Sequence, residues 1–388
     1  MGLELGQILV SLRQAASELR TRRREGETRL KQALSLYPSL GDVKVGGKST
    51  WLVAGIEEDH SFHPLSSVPQ DHAVIAVDGS HIPPESHFAI SCYLINLGLA
   101  CLGYGQKPYA RLESHPQLYF RDEELSIADP DGWHEEAVEG VLLGIKRSLE
   151  ELKLLAQLMG EETRGPCLGL VDGSLIFWGL AGRAFPPFVR EELLGKELLP
   201  SFRKMKEKGA LVAGYISYPH ATEVVNLLRL LLCPHSPPDC DQHCRGLGNK
   251  RLCQAVGGIE DRELFACLLQ VGERSPLFSS RSSVVVNHYG EHQVCFFYLR
   301  GQEEVVRIEV PRWLATDTGR LDLVHSLVFD QCRRGGGYPV ALMEAHEQAV
   351  LSPADRESFW NLIQESLAQG GIYSSSSAKR RSKQVPWV

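Results

Sequence analysis

No run of eighteen or more uncharged apolar residues occurs in the 388-residue chain, so the sequence offers no membrane span. The first twenty residues, MGLELGQILVSLRQAASELR, lack the basic start and unbroken apolar stretch of a secretion signal. A general excess of positive charge is also missing. The formal net charge is −7, which argues against a basic nucleic-acid coat but leaves room for a local basic stripe. The ten cysteines follow no disulfide framework. Cys92, Cys101, Cys167, Cys267 and Cys295 sit in apolar runs, where a reducing compartment leaves them as small hydrophobes. These absences predict a soluble, cytoplasmic protein. What remains is ordinary globular composition, 43% hydrophobic and 23% charged, in a chain long enough for one large domain or two smaller ones.

Leu5, Ile8, Leu9, Leu12, Ala16, Leu19, Leu30 and Leu34 recur at three- and four-residue steps and predict a long N-terminal helix over 3–36. Its basic middle, RTRRREGETRLK, reads as a solvated face on a packing helix, with a dimer arm or a DNA-backbone contact as the alternatives. Strands are expected at 73–78, twice within 87–105 around Asn96–Leu97–Gly98, and at 167–171. Further strands are expected over GALVAGYISY and at 283–288, 292–300 and 304–310. Helices are expected near 134–160, 188–208, 221–232, 319–332 and 353–368. This order is that of an α/β fold with a mixed sheet. The predicted domains are a helical arm at 1–45, a main domain at 46–372 and a basic tail at 373–388 with disordered composition.

Two short stretches carry the chemistry. AVIAVDGSHI runs an apolar β-branched segment into Asp78, and LGLVDGSLIFWG repeats the arrangement at Asp172. One Asp-Gly pair marks a turn. Two copies, each preceded by an apolar run and followed by Ser and more apolar residues, point instead to a metal or catalytic role. A carboxylate in a dry core costs several kcal/mol without a partner. Mg²⁺ or Mn²⁺, which favour oxygen ligands, compensate several carboxylates together. Gly79 and Gly173 would leave room beside the acids, and Ser80 and Ser174 would hydrogen-bond them. The predicted helix between the two sites offers a third acid: Glu151, on a face with Gly144, Ser148 and Leu155, or Glu150, beside Arg147 and Lys153.

Later in the chain, YPVALMEAH encloses an apolar segment between Tyr338 and His346. If that segment is extended, Tyr338, Glu344 and His346 share a face. Arg333 and Arg334 precede it as phosphate contacts or as a solvated basic pair. The Cys- and Pro-rich insertion at 233–250 holds Cys233, His235, Cys240, His243 and Cys244. It lacks a C-x₂-C pair, so a solvent loop with incidental thiols is expected rather than a structural zinc site.

The order AVDGS, a helix with Glu150 and Glu151, LVDGSL, and a late Tyr-x₇-His resembles the NurA nuclease family over roughly residues 50–370. That resemblance implies an RNase H-like core that binds Mn²⁺ (or Mg²⁺) and hydrolyses DNA. It implies a 5′-to-3′ exonuclease and single-strand endonuclease in double-strand-break end processing. It also implies a homodimer working with a hexameric HerA-type ATPase. By matching position, it assigns Asp78, Asp172, Tyr338 and His346 to the site, with Glu151 or Glu150 as the helix acid. One departure is Tyr218 in GYISYPHA, where the family carries a lysine for a phosphate. Chemically, two divalent ions would activate water and neutralise the phosphate. Asp78 would serve both, with Glu151 and Asp172 on one each. His346 would be a ligand or the proton acceptor, and Tyr338 would position a phosphate or stack on a base. The rival readings are a metal-dependent phosphatase or other phosphoester hydrolase, and a non-catalytic assembly subunit.

Overall fold

The computed structural model describes residues 5–43, 46–85, 90–160 and 165–371. The expected tail at 373–388 lies outside these residues, as do 86–89. Helix α1 (Leu5–Leu36) comes first, then strands β1 (His72–Ile82), β2 (Tyr93–Tyr104) and β3 (Tyr109–Tyr119). Helix α2 (Gly140–Leu158), strands β4 (Cys167–Asp172) and β5 (Leu211–Ile216) and helix α3 (Glu223–Leu231) follow. The chain continues with strands β6 (Val294–Arg300) and β7 (Val305–Pro311). It then forms helices α4 (Thr318–Arg334), α5 (Val340–Ala349) and α6 (Pro353–Gln369). No described helix is long and apolar enough to cross a membrane.

The chain divides into two compact units, each assembled from three separate segments. The first comprises 1–65, 216–282 and 295–308; the second comprises 66–215, 283–294 and 309–388. In the second unit β1 is the central strand. It pairs antiparallel with β2 along its whole length and parallel with β4, and β2 pairs antiparallel with β3 while β4 runs parallel to β5. The order β5–β4–β1–β2–β3, three antiparallel strands continued by two parallel ones, is the mixed sheet of an RNase H-like fold. Ala73 to Val77 are at most 3% exposed, as a strand covered on both faces must be.

Helix α2 covers one face: Leu142, Ile145, Leu149 and Leu152 pack in one core with Ile75, Val77, Leu97 and Leu99. Helix α5 covers the other, and glycine sets how closely. A Cβ on Gly98 would lie 2.1 Å from the Ala345 carbonyl oxygen and 2.4 Å from the Ala349 nitrogen. Helix backbone therefore rests directly on strand backbone there.

Several expectations fail for identifiable reasons. The stretch 87–105 is not two strands; β2 runs unbroken through Asn96 and Gly98. Strand β3 occupies a segment read as polar loop, because an edge strand exposed over most of its length shows no apolar period. Residues 283–288 form a helix despite their β-branched run, and burial of Val284 and Val285 in the core overrides local propensity. The helix expected from 134 begins at Gly140, since Glu135–Ala137 pairs with Ser126–Ala128. Residues 340–349 are helical rather than extended, burying Ala341, Leu342, Ala345 and Ala349 at one-, three- and four-residue steps.

In the first unit, Ala33 of α1 is buried and Leu30 and Leu34 pack beside Val224, Leu228 and Phe265. The earlier part of the stripe is bare: Leu5, Ile8, Leu9, Leu12 and Leu19 are between 40% and 63% exposed. Buried Asp261 caps the start of α3, accepting from the Val224 and Val225 N–H groups (3.1 and 2.8 Å) and from the Tyr298 hydroxyl (2.7 Å). Beside it, Glu223 and Arg307 form a buried ion pair.

Gly98→Ala should lower stability by about 1–3 kcal/mol through overpacking. Urea titration followed by circular dichroism checks this, and an unchanged midpoint would refute the close helix-on-strand contact.

Candidate active site

Val77 of β1 pairs with Val171 of β4 in parallel register. The next residues, Asp78 and Asp172, therefore leave the sheet on the same side. Strand β1 does not end at Asp78; it continues to Ile82, whereas β4 stops at Asp172 and the chain turns away at Gly173 with φ of +122°. Neither aspartate sits in the core. The Asp78 side chain is 14% exposed, and Asp172 is an exposed residue at the strand end whose carboxyl group turns in among its neighbours. The buried acid is Glu151, at 4% exposure.

Glycine also admits Glu151. Residue 79 faces α2, and a Cβ there would stand 2.6 Å from Glu151 Oε1 and 3.0 Å from Arg147 Cγ. Arg147, one turn earlier on α2, brings Nε to 3.1 Å from the same oxygen as an ion pair. The two atoms are not aligned as a hydrogen bond, and both are buried without such a partner. Burial pushes the Glu151 carboxyl up to about 8; Arg147 opposes this, and the charges of Asp78 and Asp172 add to it. Glu150 instead pairs with Lys146 (3.2 Å) and Lys153 (3.0 Å). The helix acid beside the aspartates is thus Glu151.

His346 reaches the aspartates from the opposite face. Its Nδ1 donates to Asp78 Oδ2 at 2.7 Å. A carboxylate only accepts, so Nδ1 carries the proton and Nε2 is left as an acceptor in the neutral ring. The placement follows from register: Asp78 pairs with Gly98, over which α5 lies, and Ser80 pairs with Asn96. Ser80 Oγ donates to the Ala349 carbonyl (2.5 Å), and Asn96 Nδ2 donates to the Ala349 and Gln348 carbonyls (2.9 and 3.1 Å). Both strand residues thereby satisfy the open carbonyl end of α5. Ser80 therefore does not serve Asp78, and Ser174 does not serve Asp172.

The Tyr338 side chain lies against the Asp172 carboxyl, and its ring packs edge-on against Tyr215 at 5.2 Å. Burial, then the neighbouring charge of Asp78, raises the Asp172 carboxyl, against the pull of Tyr338, His346 and Arg147. Burial and Asp172 push the Tyr338 hydroxyl up in turn. Arg333 and Arg334 are not brought to the acids; both pair with Asp330, at 2.9 and 2.5 Å, and Arg334 stacks on Tyr104.

Sequence reading missed three contributors. Arg147 was noted only as a neighbour of Glu150. Gly98 was taken as the break between two strands. Glu309, 1% exposed in β7, accepts from Ser174 Oγ (2.7 Å) and the Leu175 N–H (2.9 Å) and so anchors the turn after Asp172. Its signal was legible: an acid inside the apolar strand VVRIEVP.

The donor set suits Mg²⁺ or Mn²⁺: three carboxylates, one imidazole and a buried Glu151 oxygen lacking a hydrogen bond. Among the described residues no three His, Cys, Asp or Glu side chains already form a metal cage. A cation would compete with the His346–Asp78 hydrogen bond.

No curated protein sequence matches the chain. The NurA domain matches residues 72–351. Among solved structures, a crystal structure of NurA is 13% identical, with 77% of this chain and 90% of that chain covered and a TM-score of 0.35. Another, NurA bound to dAMP and manganese, is 14% identical with the same coverage and a TM-score of 0.34. A type 1 RNase H is 10% identical over 42% of this chain and 72% of its own, with a TM-score of 0.23. The family match spans more than half of the residues, from the strand bearing Asp78 to the helix bearing His346, and the chain belongs to the NurA domain family.

Proposed function

We propose that this protein is a divalent-metal-dependent DNA nuclease, a hydrolase of phosphodiester bonds. The observation that carries the reading is the meeting of Asp78, Glu151 and Asp172, where burial and then the charges of the two aspartates raise the Glu151 carboxyl, and burial and then Asp78 raise Asp172. Carboxyl groups arranged against their own ionisation favour an incoming cation. Asp78, Glu151 and Asp172 would hold Mn²⁺ or Mg²⁺, with His346 as a further ligand or as the base. A bound pair of such ions neutralises the phosphate and acidifies a water.

The chain's own groups supply the rest. His346, oriented by Asp78 through Nδ1, presents Nε2 to take the proton of the attacking water. Tyr338 lies against the Asp172 carboxylate and helps to hold it, with Tyr215 steadying the ring. This favours a positioning role for Tyr338 over base stacking. Arg147, half-exposed beside Glu151, balances charge there.

Family membership supports the finer reading of a 5′-to-3′ exonuclease and single-strand endonuclease in double-strand-break end processing. It likewise supports a homodimer and a HerA-type translocase as partner. The bare stripe of Leu5, Ile8, Leu9, Leu12 and Leu19 on α1 is consistent with a second copy of the chain packing there.

Asp78→Asn and Asp172→Asn should each abolish Mn²⁺-dependent degradation of 5′-labelled single- and double-stranded DNA while circular dichroism stays unchanged. Full activity in both would remove the metal reading. His346→Ala should slow turnover by roughly 100-fold, the lower range for loss of a general base. Gly79→Ala should displace Glu151 and depress activity far more than melting temperature; proportionate losses would make Gly79 merely structural. Glu151 holds its proton below about pH 8, and a metal must displace that proton. Mn²⁺ affinity by calorimetry should therefore rise from pH 6 towards about 8 and then level off, and Glu151→Gln should flatten the rise.

A further inference from the structure

Four thiols outside the acid site, all in the first unit, line a single cavity of about 120 Å³: Cys233, Cys240, Cys244 and Cys253. Three pieces of chain deliver them. Cys233 follows α3, its N–H donating to the Leu230 carbonyl at 3.0 Å. Cys240 and Cys244 bracket the short helix Cys240–His243, which is tied down by the Cys240 N–H on the Lys48 carbonyl (2.9 Å). Cys253 lies in the 3₁₀ turn Leu252–Val256, just past the segment that sequence reading marked as the insertion. All four are free and half-buried. Cys240, Cys253 and Cys233 all lie close enough to act electrostatically on the Cys244 thiol.

The two histidines expected among zinc ligands behave differently. His235 and His243 stack on one another with ring centres 3.8 Å apart. Among the described residues, moreover, no three His, Cys, Asp or Glu side chains gather on one ion-sized point. A lone zinc requires its sulfurs ~2.3 Å from a common centre. The cavity that these thiols help to line is larger than a single ion needs, which suits a polynuclear centre instead. Sets of four cysteine thiolates hold iron–sulfur clusters. Such a centre is anionic, and two guanidinium groups stand by: Arg229 and Arg251 lie 3.6 and 5.4 Å from the ring centre of Trp51, which lines the same cavity. Arg229 also lies near enough to Cys253 to interact with it electrostatically.

We propose that Cys233, Cys240, Cys244 and Cys253 hold an iron–sulfur cluster that pins the insertion to the end of α3. The nuclease reading is independent of it. Full-length protein purified without oxygen should contain iron and acid-labile sulfide in equal amounts, with visible absorbance that bleaches on reduction. Cys244→Ser and Cys253→Ser should lose most of that iron, whereas Cys267→Ser, altering an exposed cysteine outside the cavity, should keep it. Zinc without sulfide, or no metal with all four thiols titratable, would overturn the proposal. Should the serine variants fail to fold, the iron and sulfide content of the unaltered chain decides alone.

Discussion

The site depends on backbone approaching where side chains are missing. Gly98 lets α5 lie on β2, which brings His346 onto Asp78; Gly79 opens the other face, so that Glu151 and Arg147 press against β1. One strand, β1, thus presents its aspartate to a helix on each side. A methyl group at either glycine intrudes on this, at residue 98 against helix backbone and at residue 79 against the end of a mobile side chain. The register of β1 with β2 then does the fine placement, since Asp78–Gly98 and Ser80–Asn96 are neighbouring pairs with neighbouring tasks.

The second theme is charge held against its own preference. Glu151 is buried, near two other acids, and retains its proton past neutrality. Arg147 answers only part of that cost, because its Nε approaches without hydrogen-bond geometry. Buried acids elsewhere are treated differently. Asp261 receives two backbone N–H groups and a tyrosine hydroxyl, and Glu309 receives a serine and a backbone N–H. Those acids hold structure together. Glu151 is the one left underserved, which fits a group kept for a cation.

Much of this was legible in the sequence because period-two and apolar-run signals are strong for buried strands. The strands leading into the two VDGS stretches follow from such runs, and the long N-terminal helix follows from its three- and four-residue steps. What escaped depended on tertiary context. Strand β3 is an exposed edge with no apolar rhythm, and the helix bearing His346 contains Val340 and Leu342, which read equally well as strand. The roles of Gly98 and Gly79 were invisible because a glycine records only what is absent, not which neighbour uses the space. The serines after each aspartate were expected to serve them, yet they hold a helix end and the Glu309 carboxylate.

Each unit is woven from three stretches of chain, so neither can close until a late portion of the polypeptide exists. The second unit receives α5, with His346, from the last of its three segments, long after β1 and β4. On the proposed mechanism, a nascent chain not yet extended to Tyr338 carries all three carboxylates but neither the base nor the tyrosine beside Asp172.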